Sequence, residues 1–549
     1  MNAKHLELGR TATINTAGEQ ESFLVPTHHL VTHGFIAGMT GSGKTGLAMV
    51  VIEETLRSRI PVLVVDVKGD LPNLLLTLPA SRPDAYAEWI DDATAERREQ
   101  SVEAIGAETA AQRAELFAAW GLCDEELREH RKAIAPRIIT PGTSAGEPVN
   151  VLSSLETPSP MWHTDPEAAR LSLAATISLV LRLVGRDADA TRSRDHVVLS
   201  HFAEARLRVG KPADLGSLLH DLSEPPVEQM GAMPIDDYMS LRERKTLAAA
   251  LNSLVASPTF DSWRHGIDMD VGGWLTPGDD DRTPLVIVSV AHLDDEERGV
   301  FLGLLFEQLL AWVRTLPGTT DLRALVAFDE VYGFLPPHPA NPPAKRPLLT
   351  LMKQARGFGV GILLATQNPM DVDYRALSNA GVWFVGRLQT DADRERVVEG
   401  MAGATEGTGT VDAEVLTARL KRLTQRWFYV RNVHARPNMA LLNTRPTLAW
   451  MRGPMTRAEI RRVASQTSSG GPSEPPSAAL RAAPSPETGG REENWDKPTR
   501  HSDLEPISQD MAAMTLGTSA AGLRVPDPPT PTIEGAQHLP KVAGGFIPR

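Results

Sequence analysis

Short runs of β-branched and other apolar residues recur along the chain, each bounded by turn-forming residues. Such runs are typical of strands that are buried on both faces of a parallel sheet. They occupy residues 34–37, 61–65, 285–290, 324–328, 360–365 and 382–385. Stretches with a helical pattern alternate with them at residues 45–58, 295–314, 347–357 and 391–401. This alternation of strand and helix predicts a doubly wound α/β sheet.

A long segment between the second and third of these strands has a different composition. Residues 85–135, 165–184 and 239–256 are rich in Ala, Glu and Arg, with few Gly or Pro in the first of them, and this bias favours helices. We therefore predict a mainly helical insertion over residues 76–280. The core would then be discontinuous, formed by residues 31–75 and 281–465 after a short N-terminal segment of residues 1–30.

The composition changes again near the end of the chain. Residues 466–549 contain 13 Pro and 9 Gly, and such a composition seldom supports a packed core. We predict that this C-terminal tail is disordered.

The whole chain has the composition of a soluble globular protein, with 549 residues, 42% hydrophobic and 23% charged, and a net charge of −13. Its single cysteine, Cys123, cannot form a disulfide within the chain, which suits a reducing compartment, so we expect a cytoplasmic protein. The N-terminus lacks an apolar signal region. Glu307 interrupts the apolar run at residues 301–313, well short of the ~18 residues needed to span a bilayer, so we expect no integral membrane segment.

The charge is unevenly distributed along the chain. Residues 80–160 contain 15 acidic and 8 basic residues, whereas residues 320–465 contain 13 acidic and 20 basic residues. A segregated basic surface can bind a polyanion even in an acidic protein. The alternative is a solvated face that is balanced by acids elsewhere, and charge alone does not separate the two.

A complete GxxxxGK(S/T) motif follows the first predicted core strand and precedes an apolar helix, which is the context that a phosphate-binding loop requires. Its glycines let backbone N–H groups converge on an anion, and the helix N-terminus adds its dipole. Lys44 would reach the β- and γ-phosphates of ATP, and the Thr45 hydroxyl would complete the coordination of Mg²⁺. The predicted cofactors are ATP and Mg²⁺, and the predicted binding residues are Gly38, Thr40, Gly41, Ser42, Gly43, Lys44 and Thr45.

Two carboxylates end the apolar strand at residues 324–328, and a polar residue ends the strand at 360–365. Asp329 would hold Mg²⁺ through water, and Glu330 would orient and deprotonate the attacking water. The presence of Glu330 favours hydrolysis over nucleotide sensing alone. Gln367 is either a sensor of the γ-phosphate or an amide that caps a loop.

Several segments carry a resemblance to one family. They are GMTGSGKT at 38–45, DVKGD at 66–70, AHLDDEER at 291–298, KQARGFGVGILLATQNP at 353–369, LSNAGVWFVGRLQTDADRERV at 377–397 and PTLAWMRGPMTRAEI at 446–460. Together they resemble the HerA/FtsK superfamily of P-loop motor ATPases, and more closely the bacterial HerA-like ATP-binding proteins. The resemblance covers residues 31–75 and 285–462 and implies a RecA-like P-loop core.

The resemblance also implies an assembly and further site residues. Motors of this type are typically ring hexamers in which an arginine from the neighbouring subunit stabilises the transition state. Arg356 matches that arginine by position, and Arg387 matches a second basic residue near the interface. A structural salt bridge is the alternative for either arginine. Gln367 matches the family's sensor.

The sequence departs from the family in two respects. Archaeal HerA proteins carry an N-terminal β-barrel, whereas only about 30 residues precede the first predicted strand, too few for a closed barrel. The acidic helical insertion also separates Lys44 from Asp329 by an unusual length. Contacts that depend on the barrel are therefore in doubt, and the insertion and the tail are candidates for partner specificity.

We expect an ATP-dependent ring motor that moves double-stranded DNA and works with a separate nuclease or other effector. A Pro-rich loop at residues 336–347, with Lys345 and Arg346, is either a DNA contact or a stiff surface loop. The alternatives to a motor are a soluble secretion or conjugation ATPase of the same superfamily and a scaffold regulated by nucleotide. Stimulation of ATP turnover by DNA would separate the motor from both.

Overall fold

The apolar runs form strands of one large sheet in a computed structural model, which describes residues 4–14, 20–190, 192–258, 260–402 and 413–468. The strands are β1 (His5–Ile14), β2 (Gln20–Pro26), β3 (Gly34–Ala37), β4 (Val62–Asp66), β5 (Ile134–Ile139), β6 (Val149–Asn150), β7 (Gln229–Met230), β8 (Met233–Pro234), β9 (Ile267–Asp268), β10 (Thr283–Ser289), β11 (Thr319–Asp329), β12 (Phe358–Thr366), β13 (Val382–Val385), β14 (Trp427–Asn432) and β15 (Met439–Thr444).

Eleven of the described strands build the main sheet, in the order β2-β1-β15-β14-β13-β3-β12-β11-β4-β10-β5, while β6 pairs with β9 and β7 pairs with β8 in two-stranded sheets. From β13 to β5 all neighbours pair in parallel. From β13 through β14, β15 and β1 to β2 the pairing is antiparallel. The register pairs Asp329 with Asp66 on one side and with Ala365 on the other. The carboxyl ends of β4, β11 and β12 therefore meet at one edge of the sheet.

The helices lie between the strands and within the insertion. They are α1 (Lys44–Arg57), α2 (Pro83–Ala87), α3 (Asp92–Arg98), α4 (Val102–Trp120), α5 (Asp124–Ala133), α6 (Ser153–Glu156), α7 (Met161–Thr164), α8 (Pro166–Leu183), α9 (Arg194–Arg208), α10 (Leu215–Ser223), α11 (Ile235–Tyr238), α12 (Leu241–Val255), α13 (Asp261–Arg264), α14 (Val271–Leu275), α15 (Asp295–Thr315), α16 (Lys345–Gln354), α17 (Tyr374–Leu377), α18 (Asp391–Ala402), α19 (Ala413–Lys421) and α20 (Arg457–Ser468). Short 3-10 helices lie at Thr27–Thr32, Leu71–Leu75, Ala355–Gly357 and Pro369–Asp371. Among these described helices, none combines the length and the apolar character needed to cross a membrane.

Both faces of the parallel part of the sheet are covered. Successive side chains of a strand point to opposite faces, and in β4 Leu63 and Val65 pack into one core while Val62 and Val64 pack into the other. Residues of α8, α9, α12, α15 and α16 line the first core, and residues of α1 and α20 line the second. The predicted doubly wound α/β fold is confirmed.

The ends of the predicted core differ from the expectation in detail. Residues 1–30 contribute β1 and β2 to the main sheet, and β14 and β15 extend the same edge. Continuous apolar runs did not predict these four strands: β2 and β15 have partly exposed faces, as antiparallel strands often do, whereas β14 is buried but short and ends in the polar residues Arg431 and Asn432. The division into core and insertion stays a prediction, although β5, which lies within residues 76–280, joins the opposite edge of the sheet. The tail predicted for residues 466–549 lies outside the described residues, except for residues 466–468, which end α20.

A buried ionic cluster attaches the segment after β15 to the last turns of α1. The Arg445 guanidinium lies 2.9 Å from Glu53 Oε2 and 2.9 Å from Glu54 Oε1. Glu53 is fully buried and also accepts hydrogen bonds from the backbone N–H groups of Leu448 and Ala449, each at 3.0 Å. A buried carboxylate needs such partners, because leaving it unpaired costs several kcal/mol. Glu54 also pairs with Arg57, at 3.2 Å, so it is the fully buried Glu53 that depends most on Arg445.

Replacement of Arg445 tests that dependence. We expect Arg445→Met to destabilise the chain by about 3–5 kcal/mol, because it removes the charge partner of the fully buried Glu53. Urea unfolding followed by tryptophan fluorescence would show a lower midpoint. Arg457→Met, a matched change at an exposed arginine of α20, should leave the midpoint nearly unchanged. Equal midpoints for the two variants would contradict the account.

Candidate nucleotide-binding site

The phosphate loop connects the carboxyl end of β3 to the first residue of α1. Gly41 and Gly43 have φ of +79° and +94°, a left-handed conformation that favours glycine. At Gly38 a Cβ atom would lie 2.5 Å from Ser42 Oγ, so a side chain at this position would displace the Ser42 hydroxyl. The Met39 N–H donates to the Arg387 carbonyl oxygen at 2.8 Å, which ties the loop to the end of β13. The glycines of the motif thus stand where this turn needs them.

The side chain of Lys44 faces the two acids at the end of β11. Its Nζ lies 3.9 Å from Asp329 Oδ1 and 3.9 Å from Glu330 Oε2. The Thr45 hydroxyl donates to Asp329 Oδ2 at 3.2 Å. The Oδ1 atom of Asp329 is buried and accepts no hydrogen bond from the described residues. A hydroxyl and a carboxylate with a spare buried oxygen are the oxygen ligands that Mg²⁺ prefers, so these residues fit the predicted metal.

Glu330 is held by hydrogen bonds on both of its carboxylate oxygens. Oε2 accepts from Lys68 Nζ at 2.9 Å and from Gln367 Nε2 at 2.7 Å. Oε1 accepts from the Thr366 hydroxyl at 3.2 Å and from the Gln367 N–H at 3.3 Å. Burial raises the pKa of Glu330, but the hydrogen bond from Lys68 and the charges of Lys44 and Lys68 outweigh it and leave the pKa below its ordinary value. The carboxylate is therefore ionised at neutral pH.

The backbone at Glu330 is also unusual. Its φ is +72°, a left-handed conformation that a residue with a side chain adopts at a cost of about 1 kcal/mol or more. This turn directs the carboxylate away from the line of β11 and toward the end of β12. Such strain is common where a side chain has to be aimed at a ligand.

Gln367 connects the phosphate loop to the acidic pair. Its Oε1 accepts a hydrogen bond from the Thr40 hydroxyl at 2.7 Å, while its Nε2 donates to Glu330. A side chain that contacts both the loop and Glu330 is placed to respond to a γ-phosphate between them. An amide that caps the loop would make the same contact with Thr40, so both interpretations of Gln367 fit this geometry. The sensor role stays a prediction.

The two candidate arginines, Arg356 and Arg387, lie at opposite ends of the parallel strands. Arg356 is exposed in the turn before β12, at the amino end of that strand, whereas the phosphate loop lies beside its carboxyl end. Arg387 follows β13 at the phosphate-loop edge, where its carbonyl oxygen contacts the loop and its side chain is exposed. Neither forms an ion pair with a residue whose side chain the structure describes. Within one subunit Arg356 cannot reach the phosphate loop. Any nucleotide that Arg356 contacts would therefore be bound to a neighbouring subunit.

The Pro-rich loop differs from its predicted role in one residue. Lys345 is buried, and its Nζ lies 3.0 Å from Asp373 Oδ2, so it is unavailable to a DNA phosphate. Of the two alternatives for this loop, a DNA contact does not apply to Lys345, because the first turn of α16 packs this ammonium against the acid of a later loop. The neighbouring Arg346 is exposed.

Two residues of the site had no predicted role. Lys68 belongs to the DVKGD segment, and its contact with Glu330 follows from the adjacency of β4 and β11, which the linear sequence does not reveal. Arg426 precedes β14, and its N–H donates to the Ser42 carbonyl oxygen at 2.9 Å. No motif in the sequence marks Arg426.

A cavity of about 440 Å³ lies beside the phosphate loop, at the carboxyl ends of the parallel strands. Its lining comes from the phosphate loop, from the ends of β4 and β12, from α4 and from the segments around β14 and β15. The lining residues include Thr40, Gly43, Lys44, Thr45, Lys68, Asp70, Leu116, Gln367, Gln425, Arg426, Thr447 and Met451. Burial and the charge of Asp329 raise the pKa of Asp70.

Comparison with solved structures finds similar chains at low identity. The bacterial conjugative coupling protein TrwBdeltaN70, in its unbound monoclinic form, is 12% identical, with a TM-score of 0.44 over 83% of this chain and 91% of that chain. VirB4 of Thermoanaerobacter pseudethanolicus is 12% identical, with a TM-score of 0.45 over 80% of this chain and 96% of that chain. The plasmid coupling protein TrwB in complex with ADP and Mg²⁺ is 13% identical, with a TM-score of 0.44 over 83% and 98% of the two chains.

Comparison by sequence gives a match over the first part of the core. No curated protein matches the chain. Residues 11–101 match the family described as Helicase HerA-like C-terminal, and this range includes both the phosphate loop and the DVKGD segment. The predicted resemblance is thereby confirmed for residues 11–101, the segment that carries the phosphate loop.

Proposed function

We propose that this protein hydrolyses ATP with Mg²⁺, assembles as a ring hexamer and moves double-stranded DNA, together with a separate nuclease or other effector. The observation that carries the proposal is the clustering of Asp329 and Glu330 with Lys44 and Gln367 beside the phosphate loop, where Lys44 and Gln367 also line the cavity. A loop that binds phosphate, a buried ionised carboxylate and a polar residue bridging the two are the parts that phosphoryl transfer to water requires.

Each residue has a separate task in the proposed reaction. The loop N–H groups and Lys44 would bind the β- and γ-phosphates and offset their charge. Mg²⁺ held by Thr45 and Asp329 would neutralise charge that develops on the phosphate oxygens. Glu330 would orient water and accept its proton, but both of its oxygens already accept hydrogen bonds. Lys68 or Gln367 therefore has to release Glu330 before water can be activated.

The separate tasks of Lys44 and Glu330 give the first test. Lys44→Ala should weaken ATP binding, because it removes the cation at the β- and γ-phosphates. Glu330→Gln should retain ATP binding and lower kcat by about 100-fold or more, because the amide cannot accept a proton. Equilibrium binding of a fluorescent ATP analogue and phosphate release would be measured side by side. Wild-type turnover by Glu330→Gln would exclude Glu330 as the general base.

A pair of exposed cations supports contact with DNA. Arg346 and Lys353 lie at positions i and i+7 of α16, on one side of the helix, and both are exposed. Neither of these two forms an ion pair with a residue whose side chain the structure describes. This segment belongs to the basic part of the chain, and unpaired exposed cations on one side of a helix are suited to backbone phosphates.

Neutralising both cations tests the contact. We expect Arg346→Gln with Lys353→Gln to weaken binding of double-stranded DNA and to reduce the slope of log affinity against log salt by about 2, since each lost phosphate contact removes about 0.9. Fluorescence anisotropy over a salt series would measure it. Lys132→Gln, at an exposed lysine of the acidic segment, is the control. If DNA neither binds nor stimulates ATP turnover in the wild type, the secretion ATPase and the regulated scaffold replace the motor.

The position of Arg356 supports action between subunits. It lies at the opposite end of β12 from the phosphate loop of its own subunit, so the only nucleotide that it could contact is one bound to a neighbouring subunit. Such an arginine can contribute about 1,000-fold or more to turnover. In such a ring, Arg356 of each subunit would contact the nucleotide of the next subunit. Every interface would then bring the amino end of β12 in one subunit against the phosphate loop of its neighbour.

Mixing two inactive variants tests this arrangement. Arg356→Ala should abolish turnover while leaving ATP binding intact, and Lys44→Ala should be inactive while still lending Arg356. A mixture of the two should recover part of the ATPase activity, because some interfaces would pair an intact loop with an intact arginine. A second mixture combines Arg387→Ala with Lys44→Ala. If this mixture regains ATPase activity and the mixture with Arg356→Ala does not, Arg387 is the arginine that acts between subunits. A fully active monomer would rule out the ring.

A further inference from the structure

The cavity beside the phosphate loop has two ends that differ in chemistry. Gln367, which donates to Glu330, lines the end where the γ-phosphate would lie, beside β12. The other end lies toward β14 and β15, which are separated from β11 by β12, β3 and β13 in the sheet. A triphosphate that faces Glu330 with its γ-phosphate has to direct its nucleoside toward this second end. The residues there are Leu116, Gln425, Arg426, Pro446 and Thr447.

Arg426 is fixed directly over the phosphate loop. Its N–H donates to the Ser42 carbonyl oxygen at 2.9 Å, and its Nη2 donates to the Thr444 carbonyl oxygen at 2.7 Å. A Cβ atom added to Gly43 would lie 3.2 Å from Arg426 Cγ. The side chain thus passes close over the last glycine of the loop, and its guanidinium has an anchor on the neighbouring strand.

The insertion supports Arg426 from its other side. Trp120, the last residue of α4, has its ring centroid 5.7 Å from the Arg426 guanidinium carbon. The Arg10 guanidinium carbon lies 4.5 Å from the same ring centroid, so the indole lies against two guanidinium groups. The helix itself is fixed to the core, because Arg113 Nη2 donates to the Leu448 carbonyl oxygen at 2.9 Å. The helix α4, which carries Leu116 and Trp120, is therefore held against the segment after β15.

We propose that Arg426 and α4 form the nucleoside subsite, in which a purine base stacks on the guanidinium of Arg426, supported by Trp120, with Leu116 as an apolar wall. A planar guanidinium stacks on aromatic rings and bases in a way that an ammonium does not. The subsite gives the helical insertion a part in nucleotide recognition. It rests on the proposed function, since it presupposes a nucleoside triphosphate on the phosphate loop.

The test compares ligands with and without a base. Isothermal titration calorimetry on the full chain would use a non-hydrolysable ATP analogue with Mg²⁺ and inorganic tripolyphosphate with Mg²⁺. Arg426→Lys keeps the charge and loses the plane, so it should weaken binding of the analogue about tenfold and leave tripolyphosphate unchanged. Arg422→Lys, the same change at an exposed arginine of the preceding loop, should change neither ligand.

A second variant protects the test from a folding defect. Trp120→Leu alters no contact with the phosphate loop and should weaken binding of the analogue about threefold while sparing tripolyphosphate, because Arg426 loses its support. Unfolding midpoints of both variants would confirm that each is folded. If one variant is unfolded, the other decides.

The possible results separate this inference from the proposed function. Unchanged affinity of the ATP analogue in Arg426→Lys and Trp120→Leu would overturn the subsite. An equal loss for both ligands would also overturn it, since Arg426 would then act on the phosphates. Equal affinity of the wild type for tripolyphosphate and the analogue would show that no base is bound. Binding of neither ligand by the wild type would overturn the proposed function and the subsite with it.

Discussion

Two adjacent carboxylates buried at one edge of the sheet have to be balanced by positive charge, and the candidate site is arranged around that need. Asp329 is 5% exposed and Glu330 is 8% exposed. Unpaired carboxylates at such positions would cost several kcal/mol each. Lys44 lies 3.9 Å from both, and Lys68 donates to Glu330 at 2.9 Å. The phosphate loop, β4 and β11 therefore have to meet at this edge for the fold to be stable.

The same contacts restrain the group that would activate water. Glu330 adopts a left-handed backbone conformation and accepts hydrogen bonds on both oxygens. The partners that keep it ionised also occupy the lone pairs that a water molecule would need. Gln367 is one of these partners and contacts Thr40 on the phosphate loop. A phosphate that displaces Thr40 or Gln367 would thus alter Glu330, which couples nucleotide binding to the availability of the base.

The nucleotide cavity is assembled from parts that are distant in the chain. The core supplies the loop and the acids, the insertion supplies α4, and the strands around β14 and β15 supply Arg426 and Thr447. The ionic cluster of Arg445 with Glu53 and Glu54 fixes the segment after β15 to α1, the helix that begins in the phosphate loop. The helical insertion is therefore joined to the site through α4, whose Arg113 donates to that same segment.

Local patterns in the sequence determined six of the seven parallel strands described in the main sheet, all but β5, together with the helices that follow them, the phosphate loop and the acidic pair. Each of these depends on residues that are close in sequence: an apolar run, two glycines before a lysine, or acids at a strand end. Tertiary structure alone decided the antiparallel edge with β1 and β2, the burial of Lys345 against Asp373, and the contacts of Lys68 and Arg426. Lys68 and Glu330 are 262 positions apart. No local pattern records such a contact, because strand order and register in the sheet bring the two side chains together.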